Sequence, residues 1–165
     1  MVIFLYACII ALTGCSPRGY YTKTSGYHAA EAPGIIAQAV PLQKFIWPAQ
    51  GSVVIPFGAK KDGVSNKGIY IQGFQGNPVV AARDGKVVFV DEGLVGYGKI
   101  IILEHTPELS TVYARNAELL VIAGQRVRQG DTIARIGRQV KGASPTLYFE
   151  VRRNAKAEDP LHYLV

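Results

Sequence analysis

Ser65-Asn66-Lys67-Gly68-Ile69-Tyr70-Ile71 opens a short strand between two glycines, with β-branched and aromatic residues running from Gly68 to Gly73. Two later stretches read with it, Thr111-Val112-Tyr113-Ala114-Arg115 and Thr146-Leu147-Tyr148-Phe149-Glu150. Over residues 146–152, Leu147, Phe149 and Val151 alternate with Tyr148, Glu150 and Arg152. This period of two predicts a strand with one face in the core and the other open. Residues 96–105 and 110–114 predict a hairpin across a loop containing Thr106-Pro107. Residues 78–82 and 86–91, separated by Asp84-Gly85, predict a second hairpin closed by an Asp-Gly turn. Residues 51–58, 119–123, 126–127 and 132–136 add further short apolar runs between Gly and Pro signals.

The composition agrees with an all-β chain. In 165 residues there are eighteen glycines, nine prolines and nine tyrosines, which favours short strands and tight turns over helices. With 48% hydrophobic and 18% charged residues, the chain is suited to one domain with a short appendage. The formal charge of +6 is spread along the chain, without a basic run interleaved with aromatics. No nucleic-acid arm is therefore expected, and an anionic partner or surface is the alternative use of that charge. Both cysteines, Cys8 and Cys15, precede residue 16, which excludes a disulfide framework and a Cys-rich zinc site in the folded part.

The N-terminal run of about thirteen apolar residues is too short to span a bilayer and suits the apolar part of a signal peptide. Leu12-Thr13-Gly14-Cys15 follows it and resembles the bacterial lipobox, which implies lipidation at Cys15. Ser16 after the cysteine is similar to the outer-membrane sorting pattern of Gram-negative lipoproteins. Residues 1–15 are thus expected to be a lipoprotein signal peptide, residues 16–44 a flexible tether rich in small and polar residues, and residues 45–165 the folded domain.

The folded part resembles the LytM-type (M23) zinc peptidases that cut peptidoglycan cross-links. The resemblance rests on ordered elements: Trp47-Pro48, Phe57-Gly58, Lys67-Gly68-Ile69, Ala81-Ala82-Arg83-Asp84-Gly85, Gly96-Tyr97-Gly98, Thr111-Val112-Tyr113-Ala114, Leu147-Tyr148-Phe149-Glu150 and Asp159-Pro160-Leu161. It implies an antiparallel β-sheet sandwich with little helix. An echo between residues 76–85 and 124–131, each of the form Gly-x-x-Val…Gly, is of the kind found in barrel-sandwich hybrids. Those hybrids include carrier domains, but Lys86, the one candidate for modification, lacks their flanking residues.

In the family pattern, His-x-Gly-x-Asp supplies two zinc ligands, His-x-His supplies a third ligand and a catalytic histidine, and another catalytic histidine follows Tyr-x. In this chain the five places hold Asn66, Tyr70, Thr146, Tyr148 and Arg115. Asparagine, tyrosine and threonine are poor zinc ligands, and an arginine that stays charged cannot act as a general base. No cofactor, metal site or catalytic residue is therefore expected. His105 and His162 are expected to be structural, and Glu150 to pair with a nearby cation.

The remaining groove, with Asn66, Tyr70, Arg115, Thr146 and Tyr148, offers residue types that anchor protein partners. The chain resembles the envelope activators of N-acetylmuramoyl-L-alanine amidases, the group of NlpD-type and EnvC-type proteins. That resemblance implies a periplasmic zinc amidase as partner, whose regulatory element the groove would bind, and a role in cell-wall remodelling and daughter-cell separation. Direct binding of peptidoglycan or of a scaffold partner is the alternative reading, and an active zinc endopeptidase is the least favoured.

Overall fold

The computed structural model describes residues 44–138 and 142–165, all within a unit running from Ala39 to Val165. The unit Met1–Gln38, with the expected signal peptide, Cys15 and nearly all of the expected tether, lies outside the described residues.

Twelve strands follow in order: β1 (Ser52–Ile55), β2 (Lys60–Lys61), β3 (Val64–Ser65), β4 (Ile69–Gln72), β5 (Pro78–Val80), β6 (Gly85–Leu94), β7 (Gly98–Thr106), β8 (Leu109–Leu119), β9 (Arg126–Val127), β10 (Thr132–Ile136), β11 (Thr146–Arg153) and β12 (Lys156–Glu158). Among the described residues, one 3-10 turn, Pro160–His162, follows β12, with Asp159 accepting from the Leu161 amide at its N-terminus. The main sheet runs β1-β4-β11-β8-β7-β6-β9, and β10 joins β5 to β8. All of these strand pairs are antiparallel, as the alternating pattern requires. The short β2–β3 hairpin forms a separate two-stranded sheet.

Strand β11 lies inside the sheet, between β4 and β8. Phe149 stands opposite Ile69 on β4 and Tyr113 on β8, and Leu147 opposite Ile71. These side chains are fully buried and belong to the main core with Ile101, Leu103 and Ile136. Burying a Leu, Ile or Phe side chain stabilises a fold by about 1.5–3 kcal/mol, so this seam is the principal source of cohesion. Gly68 permits it: a Cβ there would lie 2.3 Å from the Phe149 carbonyl oxygen, so the chain approaches β11 more closely than any larger residue allows.

The expectation of an open second face on β11 is corrected by the structure. Tyr148 is 5% and Glu150 1% exposed, and Tyr148 packs with Ile100, Val112 and Ala114 in a second apolar cluster. The polar residues are buried because they satisfy one another, as described below, and a period of two cannot distinguish a wet face from a buried polar one.

The hairpin expected across Asp84-Gly85 is also corrected. Strand β5 pairs with β10, while β6 pairs with β7 and, at its start, with β9. Asp84 does not sit at a tip; its carboxylate accepts from the Gln129 amide at 2.6 Å, and its carbonyl accepts from His105 Nδ1 at 2.8 Å. The two echoing segments instead bond to each other, through the Ala81 amide to the Asp131 carbonyl and the Gly130 amide to the Ala81 carbonyl, both at 2.9 Å. The hairpin across Thr106-Pro107 forms as expected from β7 and β8.

His105 is part of a polar chain at this crossing. Its Nε2 shares a 2.8 Å hydrogen bond with Thr111 Oγ1, which in turn bonds the buried Tyr113 hydroxyl at 3.0 Å. Burial, reinforced by the nearby Arg83 charge, pushes the imidazole from 6.5 down to about 4. The ring is therefore neutral when folded, while the unfolded chain takes up its proton from about pH 6.5 downward. Stability should fall as the pH drops from about 6.5 to about 4, by on the order of 2–3 kcal/mol from this residue. Urea unfolding of wild type and His105→Gln at pH 7 and pH 4.5 checks this. The variant should lose less between the two pH values, and equal losses would exclude His105 as the cause.

Candidate functional site

One end of the β4–β11–β8 seam opens into a cavity of about 570 Å³. Its floor follows from strand register: Tyr70 on β4 faces Tyr148 on β11, which faces Ala114 on β8. The two tyrosine rings lie 5.0 Å apart, and Tyr97 meets Tyr148 edge-on at 5.7 Å. Such tilted and edge-on contacts suit aromatic quadrupoles and hold the rings in place.

Arg115 occupies a bulge in β8 in the left-handed region, with φ 68°. A non-glycine residue held there costs roughly 1–3 kcal/mol and persists only when its surroundings impose it. They do so from both sides: the Arg115 amide donates to the Tyr97 carbonyl at 2.9 Å, and its carbonyl accepts from the Gly137 amide at 3.1 Å. Gly137 must be glycine for this approach, because a Cβ would lie 2.7 Å from the Arg115 oxygen. The twist aims the guanidinium over the Tyr70 ring, 4.4 Å from its centroid, and Nη2 donates to the Tyr70 hydroxyl at 3.4 Å.

Asn66 stands at the mouth and is a clip. Its side-chain amide donates to the Pro56 carbonyl at 2.9 Å and to the Gly68 carbonyl at 2.6 Å, and its backbone exchanges bonds with Ala59 and Gly58. Beneath the floor, the Tyr148 hydroxyl donates to Glu150 Oε2 at 2.8 Å. Arg152 donates from Nε to Glu150 Oε1 at 2.7 Å and from Nη2 to Oε2 at 3.3 Å. Burial first, and then the Glu150 carboxylate, raise the Tyr148 phenol well above its ordinary range, so it stays protonated. The bond to Glu150 likewise raises the Arg152 guanidinium.

Of the five residues expected in the groove, Asn66, Tyr70, Arg115 and Tyr148 line this one cavity. Thr146 is not among its lining residues; it lies two positions along β11, opposite Gln72. The sequence reading missed Tyr97 and the β2–β3 wall with Lys60, Lys61 and Val64. Asp62-Gly63 between two lysines and Val64 was the available hairpin signal.

The comparisons with known proteins agree on the family. The profile of Peptidase family M23 matches residues 64–160. The chain belongs to peptidase family M23. Among M23 relatives, it is 42% identical over 120 residues to the uncharacterized lipoprotein YgeR of Escherichia coli (strain K12), covering 73% of this chain and 47% of YgeR. It is 40% identical over 126 residues to the murein hydrolase activator NlpD of the same organism, covering 76% of this chain and 32% of NlpD. This chain thus spans less than half the length of either relative. Among solved M23 folds, a zinc-containing peptidase from Vibrio cholerae superposes with a TM-score of 0.66 at 26% identity, over 72% of this chain and 40% of that one. The all-β, M23-type architecture expected from the sequence is therefore the observed one.

The M23 frame implies zinc, but the residues in its ligand places do not fit that ion. Asn66 turns its amide to two carbonyls, the protonated Tyr148 hydroxyl donates a hydrogen bond to Glu150, and a guanidinium projects over the floor at Tyr70. Among the described residues, no group of three or more His, Cys, Asp or Glu is arranged to hold a metal. A tetrahedral site needs three deprotonated or neutral lone-pair donors around an open position, and this floor presents donors of protons instead.

Proposed function

We propose that this protein is a lipid-anchored, catalytically inactive M23-domain protein of the bacterial envelope that activates a periplasmic N-acetylmuramoyl-L-alanine amidase. The observation that carries the reading is the exchanged floor, where Tyr70, Arg115 and Tyr148 pack together through tilted-ring, cation–π and hydrogen-bond contacts at the places where the family pattern has metal and proton chemistry. Tyrosine and arginine are the residue types that dominate protein-binding anchors. The 40% identity to a murein hydrolase activator supports the same direction.

In this reading the groove receives the amidase's regulatory element, which otherwise occludes the amidase's own active site, and so favours the open enzyme. Moving that equilibrium from 1:99 to 99:1 needs about 5.5 kcal/mol of differential affinity, within the range of a few buried anchors. Lipidation at Cys15 and the tether of residues 16–44 would place the domain at the outer membrane, facing the periplasm. Peptidoglycan cleavage between daughter cells is the process it would serve.

Release of dye from labelled sacculi tests the proposal. The chain alone should release no dye and retain no stoichiometric zinc after purification, while the chain with a periplasmic amidase should release much more than the amidase alone. Digestion by the isolated chain, or a tightly held divalent cation, would overturn it. Pelleting with sacculi but no release in either assay would point to a binding module instead.

A further inference from the structure

The groove holds more positive charge than its aromatic floor requires. Lys60, Lys61, Lys67 and Arg115 line it against one carboxylate, Asp62. The three lysines are exposed and join no ion pair among the described residues, whereas elsewhere Lys99 couples to Glu92, Arg135 to Glu118 and Arg153 to Glu158. Like charges gathered round one concavity repel each other and focus a positive field into it, which attracts an anionic ligand and speeds its encounter.

The rim is also apolar. Ile55 is 41% and Val64 70% exposed, and both line the cavity above the tyrosines. Arg115 is placed for a carboxylate: its guanidinium lies over the Tyr70 ring with Nη2 bonded to the hydroxyl, and donors beyond Nη2 remain for a forked bond. A ligand that answers all of these features presents carboxylates on one side and aliphatic groups on the other.

We propose that the groove takes an acidic, amphipathic segment of the partner protein, with a carboxylate on Arg115 and Lys67, further acidic side chains at Lys60 and Lys61, and aliphatic side chains on Ile55, Val64 and the tyrosine floor. This rests on the reading of the domain as an amidase activator and narrows it to the chemistry of the bound segment. Peptidoglycan stem peptides also present carboxylates, but their alanine methyl groups would leave Ile55 and Val64 largely uncovered. An amphipathic protein segment covers both at once.

The test measures affinity of the full chain for an intact periplasmic zinc amidase by calorimetry at 50 and 300 mM salt. Wild type, Lys60→Glu/Lys61→Glu and the neutral pair Lys60→Gln/Lys61→Gln are compared, with melting temperatures to confirm folding. Wild-type affinity should fall about tenfold across that salt range. The neutral pair should bind more weakly than wild type at low salt, and the reversed pair more weakly again, by about tenfold or more. Affinity unchanged by salt and by both pairs overturns the proposal and leaves the activator reading standing. No complex with the wild-type chain overturns both. Salt-sensitive pelleting with purified sacculi, without an amidase complex, assigns the lysines to the anionic wall polymer and overturns the acidic-segment proposal.

Discussion

Exchanging Arg115 for glutamate should weaken amidase binding, and with it dye release, by about thirtyfold or more, while leaving the melting temperature nearly unchanged. The two halves of this expectation have separate causes. What holds residue 115 in its left-handed conformation is backbone bonding to the Tyr97 carbonyl and the Gly137 amide, which a glutamate there keeps. What the proposed partner would meet is the guanidinium, 4.4 Å from the Tyr70 ring centroid. Glutamate would set a carboxylate against the electron-rich ring face and repel an acidic segment. Arg115→Lys is the informative companion. It keeps the charge and loses the planar fork, so it should give an intermediate loss, since a stacked arginine and a lysine are not equivalent. If both variants activate the amidase like wild type, the groove is not the contact surface.

The second large effect is on stability. Glu150 is 1% exposed and receives the Tyr148 hydroxyl and two donors of Arg152. Glu150→Ala leaves a buried phenol and a half-buried guanidinium without their acceptor, a change that typically costs about 3–5 kcal/mol. Against a total stability of roughly 5–15 kcal/mol for a domain of this kind, that is a large share. The urea midpoint should drop accordingly, and Glu150→Gln, which keeps volume and one acceptor oxygen, should lose less. A double-mutant cycle of Glu150→Ala with Arg152→Ala isolates their coupling, which should lie at the upper part of the 0.5–3 kcal/mol seen for neighbours in one network. Simple additivity would show that the loss on removing the carboxylate does not run through Arg152.

Much of this molecule could be read from its residues before its structure. The alternation in residues 146–152 gives an inner strand and its core face, and the resemblance to the M23 pattern singles out Asn66, Tyr70, Arg115 and Tyr148, which line one cavity. Two kinds of information were not legible. The first is which strands pair: Asp84-Gly85 has the chemistry of a tight turn, but its carboxylate and carbonyl are claimed by Gln129 and His105 from distant parts of the chain. The second is whether a polar face is wet. Tyr148, Glu150 and Arg152 alternate as solvent-facing residues do, yet the first two are buried because each completes the other's hydrogen bonding. The lysine wall was missed for a simpler reason, since two adjacent lysines ordinarily mean a solvated surface and only the fold shows that they border a cavity.

The clip formed by Asn66 has a bearing on the history open to this chain. Its amide ties Pro56 to Gly68, so a neutral histidine introduced at position 66, with one ring N–H in place of two amide hydrogens, cannot keep both bonds and brings no second metal ligand with it. A first step towards a metal site taken at this position therefore loosens the mouth of the groove and gains no chemistry in return. Position 66 therefore answers to the backbone around it as well as to anything the groove binds.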